Sequence, residues 1–505
     1  MGARDYHVLP IGVSVMNFVD QITRFAKFKP DAPALADRRR TLTYRDFYAA
    51  MTTAEETLLG HGVKAGDRIG LSFRNDMSHL ILILAAGRIG VATLTLDSRS
   101  SAHEVALYRD IAGLTAIACD HAVADVEAMP AVRFDAALLD RPDRTADFGP
   151  ARAQGGDMLF VINLSSGTTG RPNPAFTTHR VYSHSLCSTA AAFSQPVDRR
   201  FLCMTSFTFS ATRNLCLFGL LGGSVLHLYP PLFSPEELVE EIRRLRINSA
   251  FMVPTVIRWL LTLETSTDQP LFPDFKLLVI GGAMMSGREK RQAAKQLTPN
   301  IFEFYGTSVV SNLSILLPHE IDEKADSVGR PGLLAETEVV DDGGLPLPAG
   351  QTGRVRCAAP RWPVNPGIEL DTPADQPQPP RNMAWYYPGE IGCFDDDGYL
   401  YLKSRDSDFI IRAGANVYPG EIEEVLMSHD AVLEAAVVGR PDTVLGESVI
   451  AFVTTAAPIS MDVLRRHCRE MLVAYKRPEE IIVVESLPKT AGGKVRKHIL
   501  KERWN

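Results

Sequence analysis

Residues 158–174 read MLFVINLSSGTTGRPNP, an apolar run followed by a loop dense in serine, threonine and glycine. The apolar run predicts a buried strand. Small residues after a strand let backbone N–H groups converge on an anion, because no side chains block the approach, and hydroxyls add donors. The stretch therefore indicates a phosphate-binding loop, although a plain turn has the same composition. The residues that would form it are Ser165, Ser166, Gly167, Thr168, Thr169 and Gly170.

Strand-like and helix-like segments alternate around this loop. Residues 67–73 (DRIGLSF) and 90–96 (GVATLTL) have the pattern of buried strands, and the apolar segment 76–89 between them has helical spacing. Residues 234–247 (SPEELVEEIRRLRI) carry a serine N-cap, early carboxylates and late arginines, which predict a helix. This alternation of strands and helices predicts an α/β fold with mostly parallel sheets covered by helices. Residues 339–356 instead have the turn chemistry of small antiparallel strands, and residues 371–382 predict an exposed loop.

Length and composition limit the class of protein. A chain of 505 residues is too long for one core, which predicts two or more domains. The net charge of −7 is spread without basic blocks, which argues against nucleic acid as a partner. The seven cysteines are odd in number and form no CxxC pair, so neither a disulfide framework nor a zinc site is indicated. With no signal pattern and no long apolar run, we expect no membrane span and a cytoplasmic location.

Four further motifs follow the loop in order. They are LVIGGAMMS at 278–286, FYGTSVVS at 304–311, the stretch from Trp385 to Leu426 that contains YYPGE and GANVYPGEIEE, and LPKTAGGKVRK at 487–497. Together with SSGTTGRP, this series resembles the adenylate-forming superfamily of acyl-CoA synthetases, nonribosomal adenylation domains and luciferases. The resemblance covers nearly the whole chain, from about Asn17 to Lys497.

The resemblance implies a large N-terminal α/β domain over residues 1–404, with parallel sheets and a small β-barrel-like part. It also implies a small, mobile α+β domain over residues 405–505, with a hinge near Ser407. The implied chemistry has two steps: a carboxylate attacks the α-phosphate of ATP, and a thiol then takes the acyl group from the adenylate. Both steps need dispersal of negative charge, so positioned donors and a cation matter more than a nucleophilic side chain.

The family motifs place the ATP-binding residues. Gly281, Gly282 and Ala283 match the backbone that packs against adenine, and the ring of Tyr305 would stack on it. The residues that would follow the α-phosphate are Gly306, Thr307 and Ser308. Glu390 and Arg405 match the positions that hold the ribose hydroxyls, and Lys494 matches the catalytic lysine. Structural roles remain open for these residues: a strand-to-turn role for the glycines, core packing for Tyr305, a surface ion pair for Glu390 and Arg405, and a solvated lysine for Lys494.

The acid and the thiol have implied sites as well. The resemblance assigns the acid pocket to Phe207, Phe209, Arg213, Gly281 and Val310, with Val309 beside them. An apolar wall of this kind suits an aromatic or medium-sized acid, but core packing explains each phenylalanine equally well. Arg213 could bind a second acidic or polar group of the substrate, or it could be a solvated residue at a helix start. Gly414 would let the CoA thiol arm pass close to the backbone.

Several positions depart from the family pattern. Asn173 replaces the usual lysine of the phosphate loop and Pro174 a usual glycine, with Arg171 as the nearest cation. Val309 replaces a glutamate that normally helps to hold Mg²⁺, and valine cannot ligate that ion. We therefore expect Mg²⁺ to be held mainly by the phosphates and water. The other departures are Pro388, Glu390, Ser404 and Ser407.

The leading hypothesis is an ATP- and Mg²⁺-dependent acid–CoA ligase. One alternative is a ligase that loads the phosphopantetheine of a carrier protein, stops at the adenylate, or activates an unusual acceptor. A second is a non-catalytic nucleotide-binding homologue, and a third is an adenylating enzyme whose substrate is not a carboxylate. The non-catalytic alternative is disfavoured because the chain retains Lys494, Arg405 and the SGTTG core.

Overall fold

The structure is a computed structural model, and it describes most of the chain. The described residues are 17–73, 76–123, 129–134, 148–165, 173–193, 199–229, 234–263, 269–307, 310, 313–333, 335–360, 383–405, 410–412, 415–417, 419–442, 446–472, 474–489 and 495–504.

Helices and strands alternate in residues 17–193, as the sequence predicts. The helices are α1 (Val19–Phe28), α2 (Tyr44–Gly60), α3 (Asp76–Arg88), α4 (Ala102–Ala112) and α5 (His179–Phe193). The strands are β1 (Pro33–Ala36), β2 (Thr41–Thr43), β3 (Arg68–Ser72), β4 (Ala92–Leu96), β5 (Ala116–Cys119), β6 (Ala131–Arg133), β7 (Leu159–Ser165) and β8 (Asn173–Thr178). Helices α2 and α4 begin with capping boxes at Thr43 and Ser101. In each, the carboxylate three residues later, Asp46 or Glu104, accepts a hydrogen bond from the backbone N–H of the N-cap residue.

Residues 199–331 continue the alternation. The helices are α6 (Ser210–Leu221), α7 (Pro235–Arg244), α8 (Pro254–Leu261), α9 (Gly287–Gln296) and α10 (Ile321–Lys324). The strands are β9 (Arg200–Cys203), β10 (Val225–Leu228), β11 (Ser249–Met252), β12 (Leu277–Gly281), β13 (Ile301–Tyr305), β14 (Ser314–Leu316) and β15 (Arg330–Pro331). The predicted helix after Ser234 is α7, and Ser234 is its N-cap as expected. The structure adds a capping box with Glu237 and a proline, Pro235, at the first helical position.

Two large sheets result from these segments. One has six strands in the order β6-β5-β3-β4-β7-β8, parallel except for the last pair, in which Ser165 lies opposite Asn173. The other has nine strands in the order β15-β14-β13-β12-β11-β9-β10-β1-β2, parallel from β13 to β1. One hydrophobic core joins the two sheets and contains residues of α3 and α6, among them Leu84 and Leu217. Because α6 packs between the sheets, its first turn lies close to the end of β7.

Residues 337–405 form the small antiparallel part that the sequence predicts. The strands are β16 (Thr337–Val340), β17 (Gly353–Pro360), β18 (Met383–Tyr386), β19 (Glu390–Phe394) and β20 (Leu400–Arg405). They pair in the order β16-β17-β19-β20, with β18 beside β17. No pairing between the described strands joins β16 to β20, so this part is an antiparallel sheet rather than a closed barrel. The predicted loop at 371–382 lies outside the described residues.

Residues 410–504 form the predicted α+β segment. The elements are β21 (Ile410–Arg412), β22 (Ala415–Val417), α11 (Pro419–Met427), β23 (Val432–Asp442), β24 (Gly446–Thr455), α12 (Met461–Met471), β25 (Glu480–Val483) and α13 (Lys497–Trp504). Their apolar residues build two hydrophobic clusters of their own. Arg288 of α9 pairs with Asp430 at 2.6 Å and so connects this segment to the large sheets. Within the described part of the chain, each helix is too short or too polar to cross a lipid bilayer. None of the seven cysteines forms a disulfide bond.

Candidate active site

Two of the predicted motifs begin at the same edge of the nine-stranded sheet. Strands β12 and β13 are parallel neighbours, and Gly281 at the end of β12 lies opposite Phe304 near the end of β13. Residues 281–283 and 305–307 therefore leave the sheet side by side. Ligands of open α/β sheets bind at this carboxyl edge of the strands.

The glycines at the end of β12 have different physical requirements. A Cβ at Gly281 would lie 2.7 Å from the carbonyl oxygen of Phe304, so the absence of a side chain allows these two strands to pack. Gly282 has φ +89° and is exposed, with no close contact around a Cβ position, so it supplies the left-handed turn. Ala283 follows and is half-buried. Gly281 is therefore required for strand packing, whereas Gly282 forms the turn and leaves an open backbone surface at the edge.

Tyr305 and Glu390 meet although 85 residues separate them along the chain. The hydroxyl of Tyr305 donates to a carboxylate oxygen of Glu390 at 3.2 Å. Burial, together with the negative charge of Glu390, raises the pKa of Tyr305 well above its ordinary value, so the hydroxyl keeps its proton. Glu390 starts β19, where it lies directly opposite Arg405 of β20. The residues that the motifs predict to bind adenine and ribose are therefore neighbours in the fold.

Thr307 and Val310, which follow Tyr305, are joined by hydrogen bonds. The N–H of Thr307 donates to the carbonyl of Val310 at 2.8 Å, and the N–H of Val310 donates to the Thr307 hydroxyl at 3.0 Å. These bonds hold Thr307 and Val310 close together. Gly306 and Val310 are half-buried.

The two phenylalanines of the predicted acid pocket differ in environment. Phe207 is fully buried in the core between the sheets, with its ring centroid 5.9 Å from that of His79. This is the packing role that the sequence left open for it. Phe209 is half-buried and lies at the N-cap position of α6 without a capping side chain.

Arg213 is a buried cation, with 2% of its surface exposed. The alternative of a solvated helix start is therefore wrong. Its Nη1 donates to the carbonyl of Phe207 at 3.1 Å, and its Nη2 donates to the side-chain oxygen of Asn163 in β7. Arg213 thus connects α6 to the strand that leads into the phosphate loop.

Sequence reasoning missed three side chains around Arg213. Asn163 ends an apolar run, and His79 interrupts the apolar residues of α3. A polar residue in an apolar segment is a weak indication of a buried functional group, so the sequence could have suggested both. Burial and the charge of Arg213 lower the pKa of His79 to about 3, so this imidazole is neutral near pH 7. Tyr182 of α5, whose hydroxyl donates to Asn214 at 2.5 Å, gave no signal.

The remaining predicted residues are placed only in part. Ser165 and Arg405 are described as strand residues, without their side chains. Those outside the described residues are Ser166, Gly167, Thr168, Thr169, Gly170, Arg171, Ser308, Val309, Ser407, Gly414 and Lys494. Among the described side chains, His, Cys, Asp and Glu form no cluster of three that could hold a metal ion.

Comparison with known proteins identifies the family. Residues 22–361 match the AMP-binding enzyme family, and residues 421–494 match the AMP-binding enzyme C-terminal domain. The chain belongs to the AMP-binding enzyme family. The predicted relationship to the adenylate-forming superfamily is thereby confirmed.

Curated relatives match over almost their full length. The chain is 27% identical to long-chain-fatty-acid–CoA ligase FadD13 of Mycobacterium tuberculosis, over 92% of this chain and 93% of that protein. It is 29% identical to 2-succinylbenzoate–CoA ligase of Geobacillus kaustophilus, over 94% of this chain and 95% of that protein.

Solved structures share the fold. One is o-succinylbenzoate CoA synthetase (MenE) of Bacillus subtilis in complex with an acyl-adenylate intermediate, with a TM-score of 0.82 at 24% identity, covering 95% of this chain and 98% of that chain. Another is the amide bond synthetase McbA of Marinactinospora thermotolerans, with a TM-score of 0.82 at 22% identity, covering 96% of this chain and all of that chain. These likenesses confirm the predicted α/β fold with a smaller C-terminal α+β part.

Proposed function

We propose that the chain is an AMP-forming acid–thiol ligase that activates a carboxylic acid with ATP and transfers the acyl group to CoA. The observation that carries the proposal is the contact between Tyr305 and Glu390, which joins two of the adenylate-forming motifs at the carboxyl edge of the sheet. The full-length similarity to two kinds of CoA ligase supports the same activity.

The first step requires ATP to be held with its α-phosphate exposed to the acid. Adenine would lie between the backbone of Gly282 and Ala283 and the ring of Tyr305. Glu390 and Arg405 would hold the ribose, because a carboxylate accepts hydrogen bonds from adjacent hydroxyls and a guanidinium donates nearby. An acid oxygen then attacks the α-phosphorus, the bond to the β-phosphate oxygen breaks, and pyrophosphate leaves. Lys494 would stabilise the negative charge that develops on these oxygens.

Mg²⁺ would serve as a counter-charge for the triphosphate. Because the described residues offer no carboxylate cluster and Val309 replaces the usual glutamate, the ion would be held mainly by phosphate oxygens and water. The hydroxyls of Ser165, Ser166, Thr168 and Thr169 would hold the outer phosphates. Asn173 at the usual lysine position lowers the positive charge there.

In the second step a thiol sulfur attacks the acyl carbon of the adenylate and AMP leaves. CoA is the acceptor in the names of the curated relatives, and Gly414 would line its path. The phosphopantetheine of a carrier protein has the same thiol arm and is the alternative acceptor. The fold does not choose between acceptors, since an amide bond synthetase shares it. We place the boundary of the small C-terminal domain near residue 405, with Ser407 as the hinge that lets it turn between the two steps.

The experiment is a panel of aromatic and medium-chain acids, assayed for pyrophosphate release and hydroxamate formation with and without CoA. An acid–CoA ligase consumes CoA in proportion to pyrophosphate. Pyrophosphate release without CoA consumption would favour the carrier-protein or adenylate-only alternative. No ATP–pyrophosphate exchange with any acid would overturn the proposal in favour of a non-catalytic protein.

Replacing Glu390 by glutamine should raise the KM for ATP by about 10-fold, because the neutral amide loses a charge-assisted hydrogen bond to the ribose. In the same variant, the ratio of kcat/KM for ATP to kcat/KM for 2′,3′-dideoxyATP should decrease. Steady-state kinetics with both nucleotides measures the effect. Glu336→Gln, at an exposed carboxylate just before β16, is the control and should behave as the wild type. An unchanged preference in Glu390→Gln would remove Glu390 from the ribose site.

A further inference from the structure

A polar cavity of about 180 Å³ lies between β4, β7 and the first turn of α6. Its wall includes Leu164, next to the first residue of the predicted phosphate loop, and Thr208 and Arg213 of the predicted acid-binding segment. The cavity therefore adjoins both substrates of the proposed first step. Its volume is similar to that of cavities of about 150 Å³ that hold benzene, so a single ring or a short chain would fill it.

Arg213 is the unusual member of this wall. Guanidinium stays charged in proteins, and a buried charge is costly unless an opposite charge is paired with it. The described partners of Arg213 are all neutral groups: the Phe207 carbonyl, the Asn163 amide oxygen and the Tyr182 hydroxyl. Its Nε has no hydrogen-bond partner among the described residues. In the described part of the chain, no carboxylate lies within ion-pair distance of it. Among the described residues, the site thus holds a buried positive charge without a counter-charge.

The other ionisable groups near the cavity do not supply that counter-charge. Asp97 accepts two hydrogen bonds from Arg99, at 2.7 and 2.9 Å. Glu104 is exposed and accepts the N–H and hydroxyl of Ser101 at the start of α4, at 2.7 and 3.0 Å. His79 is neutral near pH 7. Both carboxylates of the wall are therefore already engaged.

We propose that Arg213 binds a second carboxylate of the substrate, which is a dicarboxylic acid of about one ring or a short chain in length. This inference rests on the proposed function. The reacting carboxylate loses its charge when the adenylate forms, whereas a second carboxylate keeps it in both substrate and adenylate. Arg213 is always charged, so it is suited to pair with the second carboxylate, which stays charged throughout the reaction. Binding of this kind is equal in the ground and transition states, so it lowers KM more than it raises kcat.

The test compares each dicarboxylate with its own half-amide, which has nearly the same shape without the second charge. The panel is the three benzenedicarboxylates, succinate and glutarate, with kcat and KM measured by pyrophosphate release from the full chain. For the preferred dicarboxylate we expect kcat/KM about 10- to 100-fold above that of its half-amide, mainly through KM. Arg213→Met should reduce this ratio to about threefold or less, and Arg213→Lys should give an intermediate ratio.

Arg199→Met is the matched control. Arg199 is also buried, with 6% of its surface exposed, donates to a backbone carbonyl and has an unpartnered nitrogen, but it does not line the cavity. Its replacement should leave the ratio between dicarboxylate and half-amide unchanged. A ratio near one in the wild type, or an equal loss for both acids in Arg213→Met, would overturn the proposal and leave Arg213 a structural tie between α6 and β7.

A binding measurement separates this inference from the proposed function. The preferred dicarboxylate should raise the melting temperature of the wild type more than its half-amide does, without ATP. If this shift occurs and no acid supports pyrophosphate release, the carboxylate site stands and the proposed activity fails. If acids are activated but no dicarboxylate is preferred or stabilises the fold, the activity stands and the Arg213 site fails. If Arg213→Met does not fold, a wild-type ratio near one still overturns the proposal, and Arg213→Lys supplies the second variant.

Discussion

Lys494→Ala should lower the rate of ATP–pyrophosphate exchange by about 100-fold or more. In the proposed mechanism the ammonium of Lys494 contacts the acid and phosphate oxygens on which negative charge grows during attack on the α-phosphorus. Stabilisation that acts only as charge develops affects kcat as well as kcat/KM. Exchange kinetics at saturating ATP and acid measures the loss directly.

Lys497→Ala is the control for this prediction. Lys497 lies three residues further on and pairs with Glu423 at 2.7 Å within the C-terminal segment. Its loss should change exchange by less than about twofold, because a pair of this kind contributes little. If Lys494→Ala kept exchange within a few-fold of the wild type while melting normally, the assignment of the catalytic lysine would be wrong.

Lys290→Met should lower the free energy of unfolding by about 3–5 kcal/mol, the largest loss of stability that we expect. Lys290 of α9 pairs with Glu303 of β13, and both side chains are buried. Its ammonium also donates to the carbonyl of Ser327 at 3.0 Å. Removing the lysine leaves a carboxylate buried without its counter-charge, two residues before Tyr305. Denaturant unfolding of the two proteins at the same pH measures the difference.

The loss in Lys290→Met should depend on pH. Burial raises the pKa of Glu303 above its ordinary value, while Lys290 opposes the increase, so removal of Lys290 raises this pKa further. A carboxyl with a raised pKa in the folded state destabilises the fold above that pKa and no longer does so below the pKa of the unfolded chain. The deficit should therefore be full near neutral pH and should shrink as pH falls towards about 4.5.

The double variant Lys290→Met/Glu303→Leu completes this experiment. Replacing both partners by apolar residues removes the buried charge, so most of the stability should return. A small, pH-independent loss in Lys290→Met, or no recovery in the double variant, would mean that Glu303 remains solvated and that the pair does not hold β13 in place.

The helices and strands that depend on residues close together in the chain were predictable from the sequence. The strand before the phosphate loop, the helix capped by Ser234 and the alternation of strands and helices all follow from residues close together in the chain. Motif order added the family, which the match over residues 22–361 confirms. Predictions on Lys494 and Gly414 come from the motifs alone and remain predictions.

Surroundings of single side chains were not predictable in the same way. Phe207 and Arg213 lie six residues apart in a segment that suggested a pocket wall, yet Phe207 packs in the core and Arg213 lines a cavity. The difference depends on which face of α6 meets β7, a contact between segments 50 residues apart. No periodicity in the segment itself records that contact.

The amino-acid sequence alone determines the helices, the strands and their caps, because hydrophobic spacing and turn residues act over a few positions. The order of the adenylate-forming motifs is also read directly from the sequence. Long-range packing places Tyr305 against Glu390 and sets Glu390 opposite Arg405. It also buries Arg213 where the described residues provide no counter-charge. These arrangements arise where strands and helices distant in sequence share one core, and burial there, rather than residue type, determines what each charge can bind.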